Sequence, residues 1–130
     1  MGLREILAYR KVKKDFEQVV RIVWDRFFLF GPVEEIDGRS SCHEFAYLIN
    51  FGMRQRGYDS SVRSGVYNEQ VWHSWVEVNG FILDFQWENN TGFNGTYEVV
   101  HDGEKRRFRE TSLPYELSLR IEEVAQRIFS

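Results

Sequence analysis

Several features are scarce in this chain of 130 residues, and each scarcity excludes a class of protein. The chain has one cysteine, so it cannot form an internal disulfide, which is typical of proteins from a reducing compartment. It has only two prolines and no linker rich in proline or glycine. Neither repeats nor low-complexity tracts divide it. We therefore expect a single domain over residues 1–130.

Charge and hydropathy exclude further classes. The net charge is -3, whereas nucleic-acid-binding domains usually carry a basic excess, so we expect no nucleic-acid partner. No apolar run approaches the roughly 18 residues that span a bilayer, so we expect no membrane partner. The charged residues 10–15 leave no room for the apolar core of a signal peptide. These features favour a cytoplasmic location.

What is present predicts a folded core, because 42% of the residues are hydrophobic and 16% are aromatic. The first thirty residues predict a helix that ends at Gly31-Pro32. Its apolar residues recur at helical spacing and form one stripe: Phe16, Val19, Val20, Val23, Trp24, Phe27 and Phe28.

A second helix is predicted around the cysteine. Ser41 and Glu44 fit a capping box, with Ser41 as N-cap, which puts Cys42 at the first helical position. Gly57 is the expected stop. The predicted buried face consists of Phe45, Leu48, Ile49 and Met53.

The middle of the chain changes to a strand pattern. Residues 62–66 alternate, and two β-rich runs, 71–78 and 81–86, flank Asn79-Gly80, a strong signal for a two-residue hairpin. A weaker hairpin is predicted over residues 97–110, around Asp102-Gly103. Pro114 is expected to open a closing helix, whose shared face would hold Leu117, Ile121, Val124, Ala125 and Ile128. The predicted class is α+β, with N-terminal helices packed on an antiparallel sheet and a C-terminal helix.

Cys42 is a candidate nucleophile. A thiol reacts as the thiolate, and a helix N-terminus stabilises that anion through its dipole and its N–H groups. By position alone this is weak evidence, because free cysteines are commonly buried and inert.

The Asn79-Gly80 hairpin supplies candidate partners. If Val78 pairs with Phe81, Trp75 lies opposite Asp84 and His73 lies opposite Gln86. His73 and Asp84 then share a face as diagonal neighbours. An imidazole that donates to a carboxylate has a fixed tautomer, as a general base requires, and Gln86 could play the same orienting role less strongly.

These residues resemble a known superfamily. A cysteine that opens a helix, followed by HSWVEVNGFILD over residues 73–84, resembles the transglutaminase-like, papain-related cysteine peptidases and acyltransferases. The resemblance covers about residues 40–87. It implies a papain-like core, Cys42 as nucleophile, His73 as base and Asp84 as orienting residue, with no cofactor. The chain is far shorter than the animal transglutaminases and shows no calcium-site pattern, which favours the compact prokaryotic or viral peptidase-like members.

The implied activity is acyl transfer on a peptide or protein substrate, first of all peptide hydrolysis by a thiol protease. Transamidation, deamidation and N-acylation through the same thioester stay open, as does a partner protein. The alternative is a catalytically silent member of the fold that acts as a binding module or inhibitor.

Other residues near these motifs have simpler interpretations. Trp75 and Trp72 are expected to pack, or to form an aromatic wall beside the thiol. His43 is expected to be peripheral, and the basic run 105–109 to be a solvated strand edge. No ligand spacing supports a zinc site. The second donor of an oxyanion hole is not identified, and the candidates are Trp24, Ser40, Gln70 and Trp72.

Overall fold

The computed structural model describes residues 2–30, 40–87, 95–114, 116 and 121–130, without the side chains of residues 27–30, 40–42, 87, 95, 96 and 102. In chain order, the elements are α1 (Leu3–Phe30), α2 (Ser40–Gln55), β1 (Ser60–Tyr67), β2 (Val71–Val78), β3 (Phe81–Trp87), β4 (Gly95–Val100), a 3₁₀ helix (Asp102–Arg107), β5 (Phe108–Glu110) and α3 (Ile121–Ile128). Helices and one antiparallel sheet confirm the predicted α+β class.

The long first helix is confirmed. Phe16, Val19, Val20 and Val23 are at most 1% exposed, so the apolar stripe of α1 is core. Trp24 is half-buried at its edge. The predicted stop at Gly31-Pro32, and the side chains of Phe27 and Phe28, lie outside the described residues.

The second helix begins slightly earlier than predicted. α2 starts at Ser40, so Cys42 is its third residue and not its first. Ser41, the predicted N-cap, is thus the second residue of the helix, and the prediction of Ser41 as N-cap is wrong. The predicted stop is confirmed: Gly57 has φ of +92°, and the Tyr58 N–H donates to the Met53 carbonyl at 3.2 Å. The Gly57 N–H also donates to Arg54 at 3.0 Å, which completes a Schellman motif.

Two tight turns join the first three strands. Asn79 and Gly80 both have positive φ, 50° and 80°, so the predicted two-residue hairpin between β2 and β3 is confirmed. A three-residue turn, 68–70, joins β1 to β2, with Asn68 and Glu69 at φ of 51° and 54° and the Gln70 N–H donating to the Tyr67 carbonyl at 3.1 Å. Sequence reasoning missed this second turn, because Asn-Glu is a weaker signal than Asn-Gly.

The second predicted hairpin is wrong. The strand order is β4-β3-β2-β1-β5, so β4 and β5 form opposite edges of the sheet. The 3₁₀ helix Asp102–Arg107, here called the crossover, connects them. Arg107 bonds to Glu98 of β4 at 2.9 Å and to the Tyr67 hydroxyl of β1 at 3.1 Å. Residues 105–109 were predicted to form a solvated strand edge. Phe108, within this basic run, is only 9% exposed, so the prediction is wrong at this position.

The last strand lies very close to β1. Gly65 pairs with Glu110, and a Cβ atom on Gly65 would lie 2.0 Å from the Arg109 carbonyl oxygen. Glycine is therefore required for this approach of the two backbones. The Thr111 N–H continues the contact and donates to the Ser64 carbonyl at 3.1 Å.

The closing helix is shorter than predicted. α3 covers Ile121–Ile128, and Glu116 is not helical, so Pro114 does not open it. Pro114 lies in a bend instead, which proline also favours. Ala125 and Ile128 are fully buried as expected, whereas Leu117 lies outside the described residues.

The sheet separates two apolar clusters. Its helical face carries Val76, Val78, Leu83, Phe85 and Val99, which pack with α1, α2 and α3 in the main core. The opposite face carries Trp75, Ile82 and Val100, which pack with Phe108. It is here called the dyad face, after the pair His73 and Asp84. Since alternate strand residues point to opposite faces, His73 and Asp84 belong to the dyad face.

Candidate active site

His73 and Asp84 are in direct contact. Nε2 of His73 lies 2.5 Å from Oδ1 of Asp84, and their side chains are 4% and 1% exposed. A carboxylate that accepts from Nε2–H fixes the neutral imidazole with its proton on Nε2. The basic lone pair of the ring is then on Nδ1.

Gln86 contacts this pair through the aspartate. Its side-chain Nε2 donates to Oδ2 of Asp84 at 2.8 Å. The two oxygens of Asp84 therefore have different donors. Sequence reasoning set Gln86 opposite His73, but the structure gives it a hydrogen bond to Asp84.

Gln86 does not pair with His73 because the ladder between β2 and β3 ends before it reaches them. They pair at Val76↔Leu83, Glu77↔Ile82 and Val78↔Phe81, and the ladder ends there, although both strands continue. The expected pairs Trp75–Asp84 and His73–Gln86 do not form. β2 still pairs with β1 as far as Val71, and β3 with β4 as far as Trp87. The stretch over which β2 and β3 continue without pairing to each other is here called the split.

Aromatic rings surround His73 on the dyad face. The Trp75 ring centroid lies 6.3 Å from that of His73, and the Tyr67 centroid lies 5.8 Å away. Trp75 also meets Phe108 edge-on at 5.2 Å. Trp75 is 2% exposed, whereas Trp72 is 36% exposed, so only Trp75 is a core packing residue.

The first turns of α2 cover the split from the helical face. His43 Nδ1 lies 2.5 Å from the Ser74 hydroxyl of β2. The Phe45 ring stacks on Phe85 of β3, with centroids 4.7 Å apart. One end of α2 thus contacts both strands where their ladder is absent.

Cys42 belongs to this same end of α2. Its backbone is helical and directly precedes His43, and its side chain lies outside the described set. His73 directly precedes Ser74 on β2. The hydrogen bond between His43 and Ser74 therefore joins the chain neighbours of the predicted nucleophile and base.

His43 is a correction to the sequence analysis, which treated it as peripheral. It is 0% exposed, and so is Glu44. The periodicity of α2 does not say which of its residues the sheet covers. His43 is buried because α2 lies close to β2 at this position. A histidine next to a candidate nucleophile is the signal that could have singled it out.

Trp24 lines a cavity close to the same end of α2. The cavity, of about 350 Å³, lies between α1 and β4 and is also lined by Glu17, Val20, Arg21, Asp25 and Tyr97. The Trp24 ring stacks on Phe45 at 6.0 Å and lies 6.2 Å from Phe85. Among the four candidate oxyanion donors, Gln70 is exposed in the turn before β2, and the side chain of Ser40 lies outside the described set.

Neither a metal-binding group nor a membrane-spanning helix occurs among the described residues. Those residues contain no group of three or more histidine, cysteine, aspartate or glutamate side chains that could hold a metal ion. In the same part of the chain, no helix has both the length and the apolar character that crossing a membrane requires.

Comparison with known proteins gives no further guide to function. Neither a scan of protein families, nor a search of curated proteins, nor a search of solved structures finds a match to this chain. A functional assignment therefore depends on the chemistry of the side chains described above.

Proposed function

We propose that the protein is a cysteine-dependent acyl-transfer enzyme of the transglutaminase-like type, with a Cys42–His73–Asp84 triad and peptide hydrolysis as its reaction. The observation that carries the proposal is the buried hydrogen bond of 2.5 Å between His73 and Asp84. In a catalytic triad, a contact of this kind orients the imidazole that acts as base, which is how the hydrogen bond supports the proposal. The same proposal includes a papain-like core, in which α2 and the sheet pack as they do in papain-related enzymes.

The reaction would proceed through a thioester. His73 Nδ1 accepts the thiol proton, and the Cys42 sulfur attacks the amide carbonyl. The imidazolium is stabilised by Asp84 and then gives the proton to the leaving amine as the C–N bond breaks. Water then attacks the thioester carbonyl, the C–S bond breaks, and the acyl group leaves as a carboxylic acid while the Cys42 thiol is regenerated. An amine in place of water would give transamidation.

The split explains how a thiol on α2 could use a base on the dyad face. In a continuous ladder, the backbones of β2 and β3 would stand between α2 and His73. The ladder ends at Val76↔Leu83, and α2 lies over the gap through His43 and Phe45. We therefore propose that Cys42 and His73 act together at this unpaired stretch of β2 and β3.

The cavity beside Trp24 is the proposed binding site for a substrate side chain. Trp24, which lines the cavity, stacks on Phe45, one turn after Cys42 on α2, and this contact is the reason for choosing the cavity. Its walls combine the rings of Trp24 and Tyr97 with charged side chains at positions 17, 21 and 25. This mixture suits a peptide with both apolar and polar groups.

The decisive experiment measures the thiol itself. The rate of Cys42 alkylation by iodoacetamide is followed against pH in the folded wild type and in His73→Ala. We expect the wild type to react well below the pKa of about 8.5 of a free cysteine, and His73→Ala to react as a free thiol does. Mass spectrometry after incubation with a defined peptide mixture should then find an acyl group on Cys42 or cleaved peptides. A wild-type profile equal to that of free cysteine would exclude the triad.

One observation favours a second candidate, a catalytically silent fold used for binding. The His73 and Asp84 side chains are buried on the face opposite to α2, where a purely structural pair would also be satisfied. In that case Asp84→Asn and His73→Ala would lower the melting temperature, and neither would change the alkylation of Cys42.

A further inference from the structure

A second buried polar network lies on the helical face of the sheet. His43 Nδ1 is 2.5 Å from the Ser74 hydroxyl, which is 2.7 Å from the Ser64 hydroxyl of β1. His43 and Ser74 are 0% and 1% exposed. The reaction proposed above does not use either side chain. Burying polar groups among core residues is costly unless they are hydrogen-bonded, so this contact holds α2, β2 and β1 in one relative position.

We propose that His43 and Ser74 are positioning residues that set the distance between Cys42 and His73, an inference that rests on the proposed function. Adjacent Cα atoms in a chain are about 3.8 Å apart. The bond between His43 and Ser74 thus fixes the two backbones one residue away from the proposed nucleophile and base.

The geometry of the split gives this contact its importance. Where β2 and β3 are paired, their ladder fixes β2, but at His73 and Ser74 only the pairing with β1 remains. The side of β2 that faces the gap has no neighbouring strand to hold it. A side-chain contact from α2 to Ser74 supplies this restraint next to the base. Ser64, directly opposite Ser74, orients the same hydroxyl from β1.

Without this restraint, Cys42 and His73 would both still be present, but their relative position would shift slightly. A displacement of about 1 Å at a reacting pair can lower its rate by as much as about 100-fold. The affected quantity is the reactivity of Cys42 at low pH, because that reactivity depends on the imidazole lying close to the thiol.

The test compares two buried serines that both hold α2. Ser74→Ala removes the hydroxyl that contacts His43. Ser60→Ala is the matched control: Ser60 is 1% exposed and bonds to Asn50 near the other end of α2 at 2.7 Å. Ser74→Thr restores the hydroxyl. Each variant is measured for its melting temperature and for the alkylation of Cys42 against pH.

We expect both alanine variants to lose similar stability. Only Ser74→Ala should slow alkylation at pH 6, by about 10- to 100-fold, and move the profile toward that of a free thiol. Ser74→Thr should recover most of the rate. If the wild type and His73→Ala differ as proposed but Ser74→Ala keeps the wild-type profile, the positioning role is wrong and the triad stands. If the wild type already reacts as a free cysteine, both proposals fail.

Discussion

The side-chain amide of Gln86 donates a hydrogen bond of 2.8 Å to Oδ2 of Asp84. This contact holds the carboxylate by the oxygen that does not face His73, and so fixes the direction of the other oxygen. Gln86 lies two residues beyond Asp84 on the same face of β3, which makes it a support for the dyad and not an alternative to it.

Gln86→Leu is therefore expected to weaken the site without abolishing it. A hydrogen bond to a charged group contributes about 1.5–3 kcal/mol, so the alkylation rate of Cys42 at pH 6 should fall about 10- to 100-fold. The control is Gln70→Leu, at an exposed glutamine in the turn between β1 and β2. Equal rates in the two variants would show that Gln86 has no effect on the dyad.

Asp84→Asn should separate chemistry from folding. Asparagine can still accept from His73 Nε2 through its carbonyl, and a rotated Gln86 amide can accept from its NH₂ group, so stability should change little. The alternative imidazole tautomer becomes accessible, and in a well-studied serine protease triad this substitution lowers kcat about 10⁴-fold. Alkylation at low pH and turnover of any identified peptide are the measurements. Full activity in a folded Asp84→Asn protein would contradict the triad.

Cys42→Ser should remove all covalent reactivity and leave the fold intact. The two side chains have nearly the same shape, but a hydroxyl ionises far less readily than a thiol. Circular dichroism and thermal unfolding should match the wild type, and no acyl adduct should form on residue 42. An unfolded Cys42→Ser protein would mean that the cysteine is a packing residue.

The two tryptophans of β2 should differ sharply in their effect on stability. Trp75 is 2% exposed and packs on Phe108, whereas Trp72 is 36% exposed. Trp75→Ala should lower the free energy of unfolding by about 3–5 kcal/mol, as large aromatic truncations in cores do. Trp72→Ala should cost much less in the same denaturant titration. Equal costs would be inconsistent with Trp75 as the core residue of the dyad face.

Tyr58 should make stability depend on alkaline pH. Burial and a hydrogen bond to Asp15 raise the pKa of Tyr58 to about 12, above its usual value near 10. The folded state therefore holds the phenol proton more tightly than the unfolded state. This contribution is complete below pH ~10 and is lost as the pH rises to about 12.

The comparison variant is Tyr58→Phe, which has no phenol to titrate. The free energy of unfolding, measured between pH 9 and pH 12, should fall more steeply in the wild type than in this variant. Parallel slopes would show that the folded state does not perturb Tyr58. At low pH, Asp15 has the opposite dependence: hydrogen bonds from Tyr58 and Arg56 outweigh its burial and lower its pKa. Its contribution is lost as the pH falls through that lowered pKa.

The sequence predicted what depends on near neighbours. The apolar stripe of α1, the stop of α2 at Gly57 and the Asn79-Gly80 turn all follow from local spacing and backbone preference, and all three are present. The contact between His73 and Asp84 was also predicted, although the strand pairs Trp75–Asp84 and His73–Gln86 from which it was inferred do not form.

Features that depend on distant parts of the chain were not predicted. The crossover joins opposite sheet edges because Arg107 and Phe108 find partners on β1, β2 and β4. The β2–β3 ladder ends at Val76↔Leu83, and His43 is buried because α2 lies on the sheet at this place. Neither has a local sequence pattern.

The position of β5 has a consequence for the order of folding and for local opening. β1 to β4 each pair with a neighbour in sequence, whereas β5 must return across the whole sheet to pair with β1 at three positions. Pairing two strands that are so far apart in sequence costs loop-closure entropy before any contact repays it, so β5 should dock last and detach first. Its amides should exchange with solvent faster than those of β2. Each detachment would also separate Phe108 from Trp75, so local opening of this one edge strand would loosen the aromatic packing beside His73 on the dyad face.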